Sequence, residues 1–158
     1  RYSLLLLLYQ RMTSPNDVEP VLSIDPDAAH FLITGGKSEH MLVNTGEKRI
    51  AVKVRCSDNS LFRVCPVYMF VEAGSCNNLV ITRLPGPPKV DKLVFHYVPC
   101  TERDIDPKDV FKKKAKPESI KLPMDTITPD DALQNWKKLK AVLKDRYEQT
   151  VLNVDERY

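Results

Sequence analysis

Residues 48–57, KRIAVKVRCS, decide the fold. Ile50, Val52, Val54 and Cys56 fall on one side of an extended chain, while Ala51, Lys53 and Arg55 fall on the other. A period of two is the pattern of a strand with one face in a core. The same alternation recurs outward in both directions, in VLSID, AHFLIT, EHMLVN, LFRVCP, YMFVEA, NNLVITR and KLVFHYV, separated by TGG, NTGEK, SDNS, AGSCN and PGPP. Seven or eight short strands with turns this frequent, and no helical period before residue 128, predict an all-β sandwich.

The totals bound what such a sandwich can do. A chain of 158 residues with 42% hydrophobic content supports one core. Twenty-four basic against 21 acidic residues leave a net charge of +3, too little for a dedicated nucleic-acid binder, so any binding patch is local. The four cysteines, Cys56, Cys65, Cys76 and Cys100, follow no CxxC spacing and are expected as free thiols in a reducing cytoplasm. His30, His40 and His96 stand singly within strands, without a nucleophile elbow, HExxH or phosphate loop, so no catalysis and no cofactor are expected. ERDIDPKD offers Asp104, Asp106 and Asp109 but lacks the glycine and final glutamate of a calcium loop.

The organisation expected is a polar lead-in over residues 1–19, a sandwich over 20–124, and a linker with a helix over 125–158. The apolar run Leu4–Tyr9 is shorter than a secretory h-region and far shorter than a membrane span. Met12 then reads as the natural start, with a truncated signal sequence as the alternative. Residues 99–123 are rich in charge and proline and predict a long surface connection before a last strand near Ser119–Leu122. Its FKKKAKP run is either solvated or a site for an anionic partner.

Beyond it, Leu133, Trp136, Leu139, Leu143 and Tyr147 recur at steps of three and four and predict a helix from about Pro129 to about Val151. Thr128 is placed to cap it, and Pro129 suits its first turn. The stripe must meet something: its own sandwich, a partner groove, or a second copy of the helix.

The run from Thr34 to Tyr97, above all TGGKS, VKV with a polar turn after it, FRVCPVYMFVEAG and RLPGPPKVDK, resembles the major sperm protein domain, and within that family the small sperm-specific proteins of nematodes. The similarity spans about residues 20–124. It implies an immunoglobulin-like seven-stranded β-sandwich, here carrying a C-terminal α-helix, that works through protein contacts in the cytoplasm. Relatives polymerise into, or bind along, the fibres that drive crawling sperm, or, as in VAMP-associated proteins, hold acidic peptide motifs containing phenylalanine. By that resemblance the partner-binding positions are Lys53, Arg55, Cys56, Ser57, Lys92 and Val94. Here Cys56 and Ser57 replace a threonine pair, and Val94 replaces a methionine, changes that weaken a phenylalanine pocket. To these the helix adds Leu133, Trp136, Leu139 and Leu143. The connection LPGPP, with Leu84, Pro85, Pro87 and Pro88, reads as a rigid corner or as an apolar contact.

Overall fold

The computed structural model describes residues 20–113 and 116–155. The expected lead-in and the choice of Met12 as start fall outside them. Nine strands form two facing sheets. They are β1 (Leu22–Asp25), β2 (Ala29–Leu32), β3 (Gly36–Asn44), β4 (Ile50–Cys56), β5 (Phe62–Cys65), β6 (Tyr68–Val71), β7 (Cys76–Arg83), β8 (Asp91–Pro99) and β9 (Glu118–Ile127). One sheet has the order β1-β3-β7-β5, the other β2-β9-β8-β4-β6. Every pairing is antiparallel except that of β2 with β9.

Nine strands come from seven extended stretches. Two stretches change sheets partway along, β1 to β2 after Pro26 and β5 to β6 at Pro66. Proline has no N–H for a ladder, so the pairing stops there and the chain can cross the sandwich.

Between the sheets lie Leu22, Leu42, Phe62, Leu79 and Ile81 from one side and Phe31, Ile50, Val52, Val54, Leu93, Phe95, Leu122 and Met124 from the other. Each buried large side chain contributes roughly 1.5–3 kcal/mol. Two polar residues inside are satisfied locally. Asn44 donates to the carbonyls of Lys48 and Val71 and accepts from the Gly46 N–H, closing the β3–β4 turn. His40 Nδ1 donates to the Pro26 carbonyl at 2.7 Å, which leaves Nε2 to accept from Ser38 Oγ.

The third buried polar residue explains the proline corner. Arg83 continues the inward row of Leu79 and Ile81 and is 2% exposed. Its guanidinium donates to the Pro87 carbonyl at 2.5 Å and, at 3.3–3.5 Å, to the carbonyls of Leu32, Ile33, Leu84 and Gly86. LPGPP is thus a collar of acceptors around a buried cation. Two glycines let it close: a Cβ on Gly86 would lie 2.7 Å from Leu61 Cδ2, and one on Gly35 (φ +89°) would lie 2.6 Å from the Arg83 carbonyl.

The long surface connection expected after Pro99 is present, but it contains a short helix that the sequence reading did not anticipate. Within it α1 (Pro107–Lys112) starts at Asp106, whose carboxylate caps the Lys108 N–H, and buries Val110 against Ala51 and Val98 on the outer face of the second sheet. β9 is also longer than the Ser119–Leu122 expected, reaching Ile127. α2 (Pro129–Asp155) follows, with Thr128 as its cap as the sequence predicts: Thr128 Oγ1 accepts from the Asp131 N–H, and the Asp131 carboxylate accepts from the Thr128 N–H.

Candidate functional site

The outer face of the five-stranded sheet carries the candidate site. Pairing of β4 with β8 sets Lys53 opposite His96 and Arg55 opposite Val94. The Ser57 N–H donates to the Lys92 carbonyl at 3.1 Å, extending this register past the strand end. Lys53, Arg55, Lys92, Val94 and His96 therefore share one surface, as the alternation within each strand and the family resemblance together imply.

The neighbouring strands add residues that sequence reasoning missed. β9 places Lys121 beside Val94, and β6 places Tyr68 beside Lys53. α1 supplies Lys108, so that the Tyr68 ring has ammonium groups at 5.6 Å (Lys53) and 5.5 Å (Lys108), with Phe111 against its edge. Among the described residues none of Lys53, Arg55, Lys92, Lys108 and Lys121 has an ion-pair partner. His96 lies among them, its pKa held below the ordinary histidine value by burial and then by the Arg55 and Lys53 charges.

Two of the six expected positions do not face outward as free groups. Cys56 turns toward the core, half-buried; its thiol reaches the Asp58 carbonyl at 3.5 Å, and burial pushes its pKa up. The Ser57 hydroxyl donates to buried Asp91 at 2.7 Å and accepts from the Lys92 N–H at 3.0 Å. Lys89 joins Asp91 to Asp58 at 3.4 and 2.7 Å, and the Asp58 carboxyl is held well below its usual range by that ammonium and by Ser60. This network ties the proline corner to the β4–β5 turn.

Where β5 turns into β6 at Pro66, the two sheets part at their edge. Val54, Arg55, Cys56, Asn59, Phe62, Arg63, Val64 and Val67 line a cleft of about 660 Å³ there. Its lining combines apolar side chains with two arginines, Arg55 from β4 and Arg63 from β5. Its register leaves the backbone of Val64 pointing away from β7, because Leu61 is the residue that accepts from Leu84. The position of Arg63 was not legible beforehand, since it depends on the sheet change at Pro66.

Other expectations resolve simply. Asp104 pairs with Lys113 at 2.7 Å and Asp109 with Lys112 at 2.9 Å, while Asp106 caps α1, so the three aspartates do not converge. The first two lysines of FKKKAKP are engaged in these pairs. Among the described residues no cluster suited to a metal ion occurs, and no helix is long and apolar enough to cross a membrane. Leu133, Trp136, Leu139 and Leu143 lie on α2, which does not fold back on the sandwich: from Pro129 to Val151 only Ala132 is even half-buried.

Comparison with known proteins agrees with this geometry. The chain is 40% identical over 100 residues to sperm-specific class P protein 34 of Caenorhabditis elegans, covering 63% of this chain and 94% of that protein. The solved structure of WR4, a C. elegans MSP family member, superposes with a TM-score of 0.67 at 37% identity, covering 69% of this chain and all of that one. That of SSP-19, an MSP-domain-like protein of the same organism, gives 0.64 at 35%, covering 66% and 98%. Residues 21–119 match the MSP (Major sperm protein) domain, which shows that the chain belongs to the major sperm protein domain family.

Proposed function

We propose that this protein is a non-enzymatic interaction component of the nematode sperm cytoskeleton, acting in the cytoplasm on major sperm protein fibres or the proteins along them. The similarity to sperm-specific relatives supports the setting. The observation that carries the binding role is the outer sheet face, where five cations around Tyr68 and Val94 have no ion-pair partner among the described residues. Such a surface attracts an acidic partner, speeds its association and loses strength as salt screens it.

The test is co-sedimentation with assembled fibres for the native chain and for Lys53→Glu with Lys92→Glu. Both side chains project from the sheet, so the double variant is expected to fold normally and to lose at least about tenfold in affinity, or ~1.4 kcal/mol. Unchanged sedimentation would make the face a solvated surface.

The edge cleft favours a second reading, an adaptor that holds extended acidic peptides containing phenylalanine. Its two arginines suit carboxylates, its apolar lining suits a side chain, and Val64 offers strand pairing. Ser57 and Cys56 count against a conventional phenylalanine pocket, because neither offers a free hydroxyl. Titration with an acidic diphenylalanine peptide separates the readings: saturable binding lost in Arg63→Glu supports the adaptor, and fibre binding without peptide binding supports the cytoskeletal role.

A further inference from the structure

Helix α2 lies beyond the residues that match the family and carries a surface that the sheet face does not explain. Its 27 residues make a rod of about 40 Å at 1.5 Å per residue. Leu133, Trp136, Leu139, Leu143, Tyr147 and Val151 are between 41% (Val151) and 71% (Tyr147) exposed. At ~100° per residue all six lie within about 60° of Trp136, in one stripe.

The charges around that stripe are sorted. Lys140 sits on it, its ammonium 5.0 Å from the Trp136 ring. Lys137 and Lys144 border it on one side and Arg146 on the other, each within about 100° of Trp136. Asp130, Asp131, Asp145 and Glu148 all fall farther round, on the back of the helix. Lysines and acids are nearly balanced over the helix, yet from Pro129 to Val151 every charge within about 100° of Trp136 is a cation, with Lys144 3.8 Å from Glu148 behind it.

We propose that α2 is a docking helix for a groove with an apolar floor and carboxylate rims, of the kind that calcium-loaded EF-hand proteins open. Trp136 is the anchor, Leu143 and Tyr147 follow it along the floor, and the four cations meet the rims. A second copy fits poorly. Parallel pairing sets Lys140 against its own copy, and antiparallel pairing centred on the stripe sets Lys140 against Lys144. A lipid surface also fits poorly, since an interfacial helix uses a broad apolar face with cations over its polar side, and here the polar side holds Asp130, Asp131, Asp145 and Glu148 against Lys138.

The experiment uses the full chain and calmodulin as the probe groove. Trp136 is the only tryptophan, so its emission reports the helix directly. Calcium-loaded calmodulin is expected to shift that emission to the blue with 1:1 stoichiometry and a Kd of about 10 µM or tighter, reversed by chelating calcium. Leu143→Glu, which leaves the sandwich untouched, is expected to weaken binding at least tenfold, and added salt to weaken it further. Absence of any shift at about 100 µM calmodulin overturns the proposal. A concentration-dependent dimer in sedimentation that dissolves in Leu143→Glu replaces it with self-association. A larger blue shift on phosphatidylserine vesicles than on calmodulin replaces it with a lipid surface.

Discussion

Replacing Arg83 with methionine keeps the length and apolar stem of the side chain and removes only the guanidinium. In many buried ion pairs such a change is neutral, because both charged partners can be exchanged for apolar groups. At Arg83 the partners are backbone carbonyls and cannot be exchanged. The Pro87 carbonyl loses a 2.5 Å charge-assisted bond, and those of Leu32, Ile33, Leu84 and Gly86 lose weaker contacts at 3.3–3.5 Å. One strong charged hydrogen bond is worth about 1.5–3 kcal/mol, and an orphaned buried acceptor costs about 1–3 kcal/mol. Relief of guanidinium desolvation offsets part of this, which leaves a destabilisation of about 2–4 kcal/mol. For a domain of this size each kcal/mol lowers Tm by roughly 4–8 °C, so Arg83→Met is expected to melt about 8–32 °C below the native chain. Arg83→Lys keeps the charge but not the planar fork, and falls between the two. The assay is thermal unfolding followed by far-UV circular dichroism. A methionine variant within ~0.5 kcal/mol of native would refute the collar argument, because the carbonyls would then be satisfied without the cation.

Other outcomes follow from the same geometry. His96 has a folded pKa below its unfolded value, so the unfolded chain binds more protons in that window and stability falls as pH drops below about 6.5. A partner carboxylate on the strip raises the same pKa, so affinity is expected to increase from pH 7.5 to 6, and His96→Gln should flatten that profile if the residue faces the partner. Gly35→Ala is expected to cost about 1–3 kcal/mol in urea unfolding, since the residue sits at φ +89° with the Arg83 carbonyl 2.6 Å from the new methyl; a neutral result would mean the turn relaxes freely. Melting curves with and without reductant should coincide. Cys65 lies opposite Val80 on β7, and Cys76 is four residues farther along, about 13 Å away at ~3.3 Å per residue, beyond disulfide reach. A reductant-dependent Tm would contradict the free thiols.

What could be read from the residues follows the range of the interaction involved. Period-two alternation is local, and it located the strand-forming runs and sorted the two faces of β4 and of β8, while their being sheet neighbours came from the family resemblance and the pairing of Lys53 with His96 from the structure alone. Sheet membership is not local. A proline that ends a strand and one that moves the chain to the other sheet look alike in sequence, so the change at Pro66, and with it the cleft flanked by Arg63, was hidden. Lys121, Tyr68 and Lys108 were missed for the same reason, as each joins the strip through a neighbour whose register no alternation fixes. α1 is too short for a helical period and shows only its cap, Asp106 before Pro107.

Arg83 is the instructive case, because its position was legible while its meaning was not. It stands two residues after Ile81 and four after Leu79, so periodicity puts it inside, and charge alone argues against that. The resolving signal is the sequence that follows. Prolines supply carbonyls without N–H groups, so a proline-rich corner pressed on a sandwich has acceptors in excess and needs a buried donor with several N–H groups in one plane. An arginine entering such a corner on the inward row is that donor. The stiffness of LPGPP and the burial of Arg83 are therefore one feature, and the corner's outer side, with Leu84 and Val90 exposed, is held in shape by a cation the solvent does not reach.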